Sequence, residues 1–318
     1  MTDTRDKNGA PRPGHRIETL KLLSSSGFED YRLVDSGNGR KLERFGRFTV
    51  DRPEPQALWQ PRLSPETWQR ADATFSAEDD EEAGKWRQKG TVPETWRMAL
   101  GPVALLGRLS AFRHLGLFPE QLPHWDWMRG CLDRVRAAEP DTKPRVLNLF
   151  AYTGAASLIA AAAGAEVTHV DASKKAVAWA KENQAASKLT EAPVRWMLDD
   201  ARKFAAREVR RGKTYNVILV DPPKFGRGPG GEVWELFEHL PGLMRDCVQL
   251  LAPERSAIVV TAYAIRASAL SIGQLLGETI GSRAGALDCG ELAIREHEGD
   301  RAIPTSLYAR WVSHDLGQ

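Results

Sequence analysis

The chain has 318 residues, more than the roughly 100 to 200 residues of an ordinary domain, so it has room for two domains. Its 42% hydrophobic and 27% charged residues exclude a mainly disordered chain, and a formal net charge of +2 neither requires nor excludes a nucleic-acid partner. No run approaches the roughly 20 apolar residues that a membrane-spanning helix needs. Three cysteines without metal-ligand spacing favour a reducing compartment, so we expect a cytoplasmic protein without a metal site.

The N-terminal third is expected to contain a tail and a small domain. Residues 1–13 are polar, with glycine and proline, and predict a disordered tail without a secretion signal. Residues 14–110 combine short β-type runs, glycine turns and many tryptophans, which predicts a β-rich, Trp-rich domain that binds the substrate. A basic hairpin in this domain could contact phosphate; its residues are Arg40, Lys41, Arg44, Arg47 and Arg52.

From Arg145 onward, apolar β-type runs alternate with helical stretches, which is typical of a parallel α/β sheet. The predicted parallel strands end at Phe150, Val170, Leu198, Val220 and Ala262. The last two runs, ALDCGELAI and TSLYARWV, are joined by a connection too short for a helical crossover, so we expect an antiparallel hairpin. Residues 111–318 are therefore predicted to form a doubly wound, Rossmann-like α/β domain with a mostly parallel, seven-stranded sheet.

Polar residues follow three of these strands where a nucleotide-type cofactor would bind. After the first strand, in NLFAYTGAAS beginning at Asn148, Gly154 permits a tight turn and a close backbone approach to a ligand. Asp171 follows at close to the roughly 20-residue offset at which a carboxylate meets ribose hydroxyls. In Asp199-Asp200-Ala201, the carboxylate of Asp200 could accept a hydrogen bond from an adenine amino group or simply cap the next helix.

The fourth strand ends in Asp221-Pro222-Pro223-Lys224-Phe225. Two prolines in succession form a stiff extended turn that lacks two N–H donors and turns Asp221 toward the crevice at the strand ends. The carboxylate could accept amino hydrogens of a planar substrate, and Phe225 could stack on a base. This turn predicts the catalytic site.

Together, NLFAYTGAAS, VDASKKAVAWAKEN, LDDARKF and ILVDPPKFGRG resemble the RlmI/RlmK-like branch of class I S-adenosylmethionine-dependent methyltransferases, which modify ribosomal RNA. The upstream FRHLGLFPEQ is similar to the motif with which that branch covers its cofactor. The resemblance spans roughly residues 111–318 and implies S-adenosylmethionine as cofactor and ribosomal RNA as partner. It implies cofactor contacts by Gln121, Asn148, Phe150, Tyr152, Thr153, Gly154, Asp171, Ser173, Asn183, Asp200 and Ala201.

Three departures from the family pattern bear on the acceptor. The covering motif carries Glu120-Gln121-Leu122 where the family has Asp-Gln-Arg, and the N-terminal region does not resemble the RNA-binding PUA-type domain of those relatives. Methylation of cytosine carbon 5 generally needs an attacking cysteine, and Thr261-Ala262-Tyr263 stands where relatives of that type have one.

We therefore expect transfer of a methyl group to a base nitrogen in RNA. A protein or small-molecule methyltransferase with the same cofactor is the first alternative. More distant alternatives are a nicotinamide-dependent oxidoreductase, which would need parallel strands in place of the terminal hairpin, and a non-catalytic cofactor-binding regulator.

Overall fold

The computed structural model describes residues 15, 17–76, 84–111, 113–263 and 265–316. The tail predicted for residues 1–13 lies outside the described residues. Two sheets dominate the structure, a five-stranded one in the N-terminal part and an eight-stranded one in the C-terminal part, together with two separate β-hairpins.

The described residues of the N-terminal part form eight strands and one short helix. They are β1 (Lys21–Ser25), β2 (Tyr31–Gly37), β3 (Arg40–Phe45), β4 (Phe48–Pro53), α1 (Pro65–Gln69), β5 (Ala73–Ser76), β6 (Lys85–Gln88), β7 (Trp96–Leu100) and β8 (Val103–Gly107). Strands β2 to β6 form the five-stranded sheet in sequence order, and all neighbours are antiparallel except β4 and β5. This region is β-rich and irregular, in agreement with its pattern of short runs and glycine turns.

The C-terminal part alternates strands and helices. A short 3-10 helix (Pro119–Gln121) precedes α2 (Leu122–Ala138), β9 (Arg145–Leu149), α3 (Ala155–Ala162), β10 (Glu166–Asp171), α4 (Lys174–Ala186), β11 (Val194–Leu198), α5 (Ala201–Arg210) and β12 (Val217–Val220). There follow β13 (Phe225–Arg227), β14 (Val233–Glu235), α6 (Leu236–Gln249), β15 (Ala257–Tyr263), α7 (Ala269–Ile280), β16 (Gly285–Arg295), β17 (Ala302–Ser313) and a 3-10 helix (His314–Leu316).

The large sheet has the order β1-β16-β17-β15-β12-β9-β10-β11. Strands β9, β10, β11, β12 and β15 are mutually parallel, and β17 runs antiparallel to both β15 and β16. Strand β12, with the sequence VILV, is buried along its whole length, as expected for a central parallel strand covered by helices on both faces. The predicted Rossmann-like fold with a terminal antiparallel hairpin is confirmed, and this hairpin excludes the continued parallel units of a nicotinamide dehydrogenase domain.

The sheet has one strand more than the seven predicted. Strand β1 comes from the N-terminal part of the chain and pairs in parallel with β16, with Lys21 opposite Gly290 and Ser25 opposite Ile294. A Cβ atom on Gly290 would lie 1.7 Å from the carbonyl oxygen of Lys21, so only glycine permits this close pairing. The division of the chain at residue 110 stays a prediction, and β1 connects the N-terminal segment directly to the large sheet.

The β7–β8 hairpin also contacts the C-terminal part. Asn183 on α4 accepts a hydrogen bond from the backbone N–H of Leu106 at 2.8 Å, and Trp179 donates to the carbonyl of Leu106 at 2.9 Å. The apolar side chains of the hairpin join a core that continues through α2, α3 and the large sheet. These contacts hold the N-terminal part against the side of the molecule where the parallel strands end.

Candidate active site

Two adjoining cavities open at the carboxyl ends of β9, β10, β12 and β15. The larger has a volume of about 330 Å³ and the smaller about 60 Å³, and they share Phe118, Gln121, Phe150, Tyr152 and Asp221. They lie where the strand order reverses between β9 and β12, which is the position at which open α/β sheets bind their ligands.

The loop after β9 has an unusual backbone. Phe150, Tyr152 and Gly154 have positive φ angles of 56°, 50° and 84°, a left-handed conformation that only glycine adopts without cost. Two non-glycine residues in this conformation within three positions represent stored strain, which concentrates at functional sites. The sequence predicted the glycine turn here but not the strain at Phe150 and Tyr152.

Asp171, at the end of β10, orders this loop. Its Oδ2 accepts a hydrogen bond from the backbone N–H of Tyr152 at 2.7 Å, and its Oδ1 accepts one from the N–H of Ser173 at 2.8 Å. Burial raises the pKa of Asp171, against the lowering effect of these two N–H groups. Each carboxylate oxygen retains a second acceptor position, so the group can also bind ligand hydroxyls in the cavity that it lines.

Asp200 is buried and caps α5, because its Oδ1 accepts a hydrogen bond from the backbone N–H of Lys203 at 3.0 Å. It also lines the larger cavity, together with Asp199 and Ala201. Asp199 forms an ion pair with Arg207. The capping role and the cavity position therefore occur together at Asp200.

Asp221, at the end of β12, is held by two donors. Thr261 on β15 donates its hydroxyl to Oδ1, and Gln121 donates Nε2 to Oδ2 at 3.0 Å. Burial raises the pKa of Asp221 to about 6, although the hydrogen bond from Thr261 lowers it. Gln121 was predicted to contact the cofactor, and in the structure it also contacts the carboxylate of Asp221, the predicted catalytic residue. The sequence did not reveal Thr261 as a partner of Asp221, although this residue lies near the end of the neighbouring parallel strand.

The double-proline turn leads into the β13–β14 hairpin. Trp234 donates its indole N–H to the carbonyl of Pro223 at 2.7 Å, which fixes the turn, and its ring lies 4.8 Å from that of Phe150. Pro222 and Pro223 line the larger cavity, whereas Lys224 and Phe225 line neither cavity. The side chain of Phe225 is half exposed, so it lies at the outer side of the turn rather than in the crevice.

The segment that precedes the first 3-10 helix covers the loop after β9. Thr153 donates its hydroxyl to the carbonyl of Gly116, and the rings of Phe118 and Tyr152 lie 5.4 Å apart. His114 and Tyr263 also line the larger cavity. Burial lowers the pKa of His114 well below 6.5, so its imidazole is neutral at pH 7.

The structure brings most of the predicted cofactor residues together. The larger cavity is lined by Gln121, Phe150, Tyr152, Asp171, Ser173, Asp200 and Ala201, and the smaller by Asn148, Thr153 and Gly154 with three of the same residues. Asn183 lines neither cavity. It is fully buried and donates Nδ2 to the carbonyl of Thr153 at 2.9 Å, so it supports the loop from behind.

The basic hairpin of the N-terminal sheet uses most of its charges internally. Arg52 forms a buried bidentate pair with Glu43, Arg40 pairs with Asp51, and Lys41 pairs with Glu54. Arg44 donates to the backbone carbonyls of Glu29 and Gly46. Of the five residues, only Arg47 has an exposed side chain without a hydrogen bond or ion pair to the described part of the chain.

Within the described ranges, no three His, Cys, Asp or Glu residues are arranged to hold a metal ion. No helix in that part of the chain combines the length and the apolar character needed to cross a bilayer. The three cysteines, Cys131, Cys247 and Cys289, are buried and line neither cavity.

Residues 122–248 match the family model described as "Conserved hypothetical protein 95". Over 46% of its length the chain is 35% identical to the ribosomal RNA large subunit methyltransferase K/L of Hahella chejuensis. Over 64% it is 28% identical to the ribosomal RNA large subunit methyltransferase I of Cronobacter sakazakii. These alignments span only 19% and 54% of the two relatives.

A solved structure gives a match over nearly the whole chain. The crystal structure of an S-adenosylmethionine-dependent methyltransferase from Agrobacterium tumefaciens aligns with a TM-score of 0.88 and 50% sequence identity over 95% of both chains. A match over 95% of this chain includes most of the N-terminal sheet as well as the C-terminal part. The chain therefore belongs to the class I S-adenosylmethionine-dependent methyltransferases, as its RlmI/RlmK-like motifs predicted.

Proposed function

We propose that this protein is a cytoplasmic enzyme that transfers a methyl group from S-adenosylmethionine to a base nitrogen in RNA, with ribosomal RNA as the substrate class. The observation that carries this proposal is Asp221, fixed by Thr261 and Gln121 beside a stiff double-proline turn in a cavity of about 330 Å³. A carboxylate held in this way offers hydrogen-bond acceptors to a planar group that bears amino hydrogens.

The cofactor half of the cavity fits S-adenosylmethionine. Asp171 is positioned to accept hydrogen bonds from the ribose hydroxyls, Asp200 from the adenine amino group, and the strained loop from Phe150 to Gly154 lets the backbone approach the cofactor. When bound, the cofactor supplies a methyl group on a positively charged sulfur. The protein then mainly has to orient the acceptor and exclude water.

Two further observations support a base nitrogen. The acceptor side presents the aromatic rings of Phe118 and Tyr263, which suit a planar ring. Activation of cytosine carbon 5 requires a cysteine that attacks the ring, and the three cysteines are buried away from both cavities. The named ribosomal RNA methyltransferases among the relatives point to RNA as the molecule that carries the base.

The proposed RNA contacts lie at the rim of the cavity. Phe225 is half exposed there, and Lys224 and Arg227 beside it are exposed and form no ion pair with the residues that the structure describes. A half-exposed aromatic ring between two cations suits a base and its phosphates. The N-terminal residues 14–110 are proposed to position the substrate against this rim.

A protein or small-molecule acceptor is a second candidate, and one observation favours it. The charges of the basic hairpin are mostly neutralised by Glu43, Asp51 and Glu54, which leaves that hairpin with little unpaired positive charge. The same double-proline turn could bind an amide or amine in place of a base.

The two candidates are separated by methyl transfer from labelled S-adenosylmethionine to extracts of cells that lack this protein, fractionated into RNA, protein and small molecules. The RNA proposal predicts label in the RNA fraction with the wild type and a loss of that label with Asp221→Ala. Label confined to protein or small molecules, with cofactor binding intact, would replace RNA with the second candidate.

A further inference from the structure

A second carboxyl group lines the larger cavity. Glu120, in the 3-10 helix before α2, is 6% exposed and lines the same cavity as Asp221. Among the described residues, its side chain forms no ion pair and no hydrogen bond with another side chain, and its own backbone N–H is the one donor that affects its titration. A buried carboxyl group without such partners is costly, and carboxyl groups in this situation are concentrated at catalytic sites.

The position of Glu120 relative to Asp221 is fixed by the chain. The next residue, Gln121, donates Nε2 both to Asp221 and, at 3.3 Å, to the hydroxyl of Thr261. These bonds tie the 3-10 helix to the ends of β12 and β15. The two carboxyl groups therefore border one cavity on separate elements that these hydrogen bonds connect.

Burial and the surrounding charges together bring the pKa of Glu120 close to neutral pH. Burial raises its pKa to about 7, and Asp221 adds to the rise, whereas Lys41 on β3 and Arg52 on β4 lower the pKa. Further titratable neighbours include His114, which is neutral, and Tyr31 on β2 and Tyr263 on β15, whose pKa values burial raises. A group that exchanges its proton near the working pH is suited to general acid–base chemistry.

We propose that Glu120 accepts the proton that the acceptor nitrogen loses on methylation, while Asp221 holds the nitrogen in line with the methyl group. The nitrogen forms a bond to the methyl carbon as the carbon–sulfur bond breaks with its electron pair on sulfur, and the proton passes to Oε of Glu120. This inference rests on the proposed function and restricts its substrate: the target nitrogen carries at least one hydrogen, as an exocyclic amino group or a ring N–H does.

The test compares wild type with Glu120→Gln, which keeps the size of the side chain and removes its basicity. Methyl transfer to RNA is measured from pH 5.5 to 9, with binding of S-adenosylhomocysteine measured by calorimetry. A matched control is Glu278→Gln on the exposed side of α7. A second variant, Glu120→Asp, keeps the carboxyl group but withdraws it by one methylene.

The wild-type rate is expected to rise with pH through a pKa near 7, because the carboxylate form is the base. Glu120→Gln should lower kcat by roughly 10²- to 10⁴-fold and lose the rise near pH 7, keeping only the rise near pH 6 that belongs to Asp221, with cofactor-product binding unchanged. The kcat of Glu120→Asp should lie between those of the wild type and Glu120→Gln, and the kcat of Glu278→Gln should match that of the wild type.

A wild-type rate and pH profile in Glu120→Gln would overturn the inference while leaving RNA methylation intact. A loss of S-adenosylhomocysteine binding that accounts for the whole fall in rate would also overturn it, because Glu120 would then be structural. No label in RNA with the wild type itself would instead reject the proposed function.

Discussion

Asp171→Asn tests the cofactor site most simply, because this side chain both orders the loop and faces the ligand. The carboxylate accepts hydrogen bonds from the N–H groups of Tyr152 and Ser173, one on each oxygen. An asparagine has one oxygen and one NH₂ group, so one backbone N–H must face another donor. The substitution therefore disturbs the loop and also removes a charge that would accept hydrogen bonds from ribose hydroxyls.

Loss of one charge-assisted hydrogen bond costs about 1.5–3 kcal/mol. Because each 1.4 kcal/mol corresponds to about tenfold in affinity, the Kd for S-adenosylmethionine should rise about 10- to 150-fold. Isothermal titration calorimetry measures this change directly. Asp133→Asn, on the solvent-exposed side of α2, is the matched control and should leave the Kd unchanged.

The pH dependence gives an independent check on Asp171. Burial raises its pKa, so the wild-type affinity should weaken as the pH falls through that raised pKa and the carboxylate is protonated. Asp171→Asn should lack this acid-side loss. A variant that binds the cofactor with wild-type affinity would refute the assignment of Asp171 as a cofactor ligand.

Three further predictions concern stability and the substrate turn. Asp221 has a pKa raised from 3.8 to about 6, so the folded state binds its proton more tightly than the unfolded state does and stability falls as the pH rises through this window. Asp221→Asn should therefore raise the unfolding free energy by at most about 3 kcal/mol above pH 6, with a higher melting temperature, and leave both nearly unchanged at pH 3.5; calorimetry above pH 6 and at pH 3.5 checks this, and an equal shift in both conditions would contradict it. Arg52→Met leaves the buried carboxylate of Glu43 without its bidentate partner and should destabilise the protein by about 3–5 kcal/mol in denaturant unfolding, a loss that Glu43→Gln in the same chain should reduce. Trp234→Phe removes the hydrogen bond to Pro223 and should lower kcat about fivefold, from roughly 1 kcal/mol, without changing the Kd for the cofactor; an unchanged kcat would show that the turn holds without it.

The sequence predicted the parallel strands and the polar residues at their ends, because buried strands are continuous apolar runs and their carboxyl ends meet at one edge of the sheet. Asp171, Asp200 and Asp221 therefore lie together as predicted. Strand β1 was missed because KLLSS is short, and its pairing with β16 joins segments far apart in the chain, which local pattern does not encode.

The orientation of single side chains was harder to predict. Phe225 follows the double proline as a stacking residue would, but the three-residue strands of β13 and β14 turn it outward. The sequence did not show that the charges of the basic hairpin are paired. The pairing of Lys41 with Glu54 and of Arg52 with Glu43 depends on how the strands align. The burial of Glu120 likewise depends on tertiary packing, because its 3-10 helix contacts β1 and β16, which are far apart in the chain.

The most direct test of RNA methylation at nitrogen is mass spectrometry of the nucleosides of ribosomal RNA from cells with and without this protein. The account predicts that one nucleoside methylated on a base nitrogen is lost from the large-subunit RNA and returns when the wild-type chain, but not Asp221→Ala, is supplied. Unchanged nucleosides, or the loss of 5-methylcytidine alone, would contradict it.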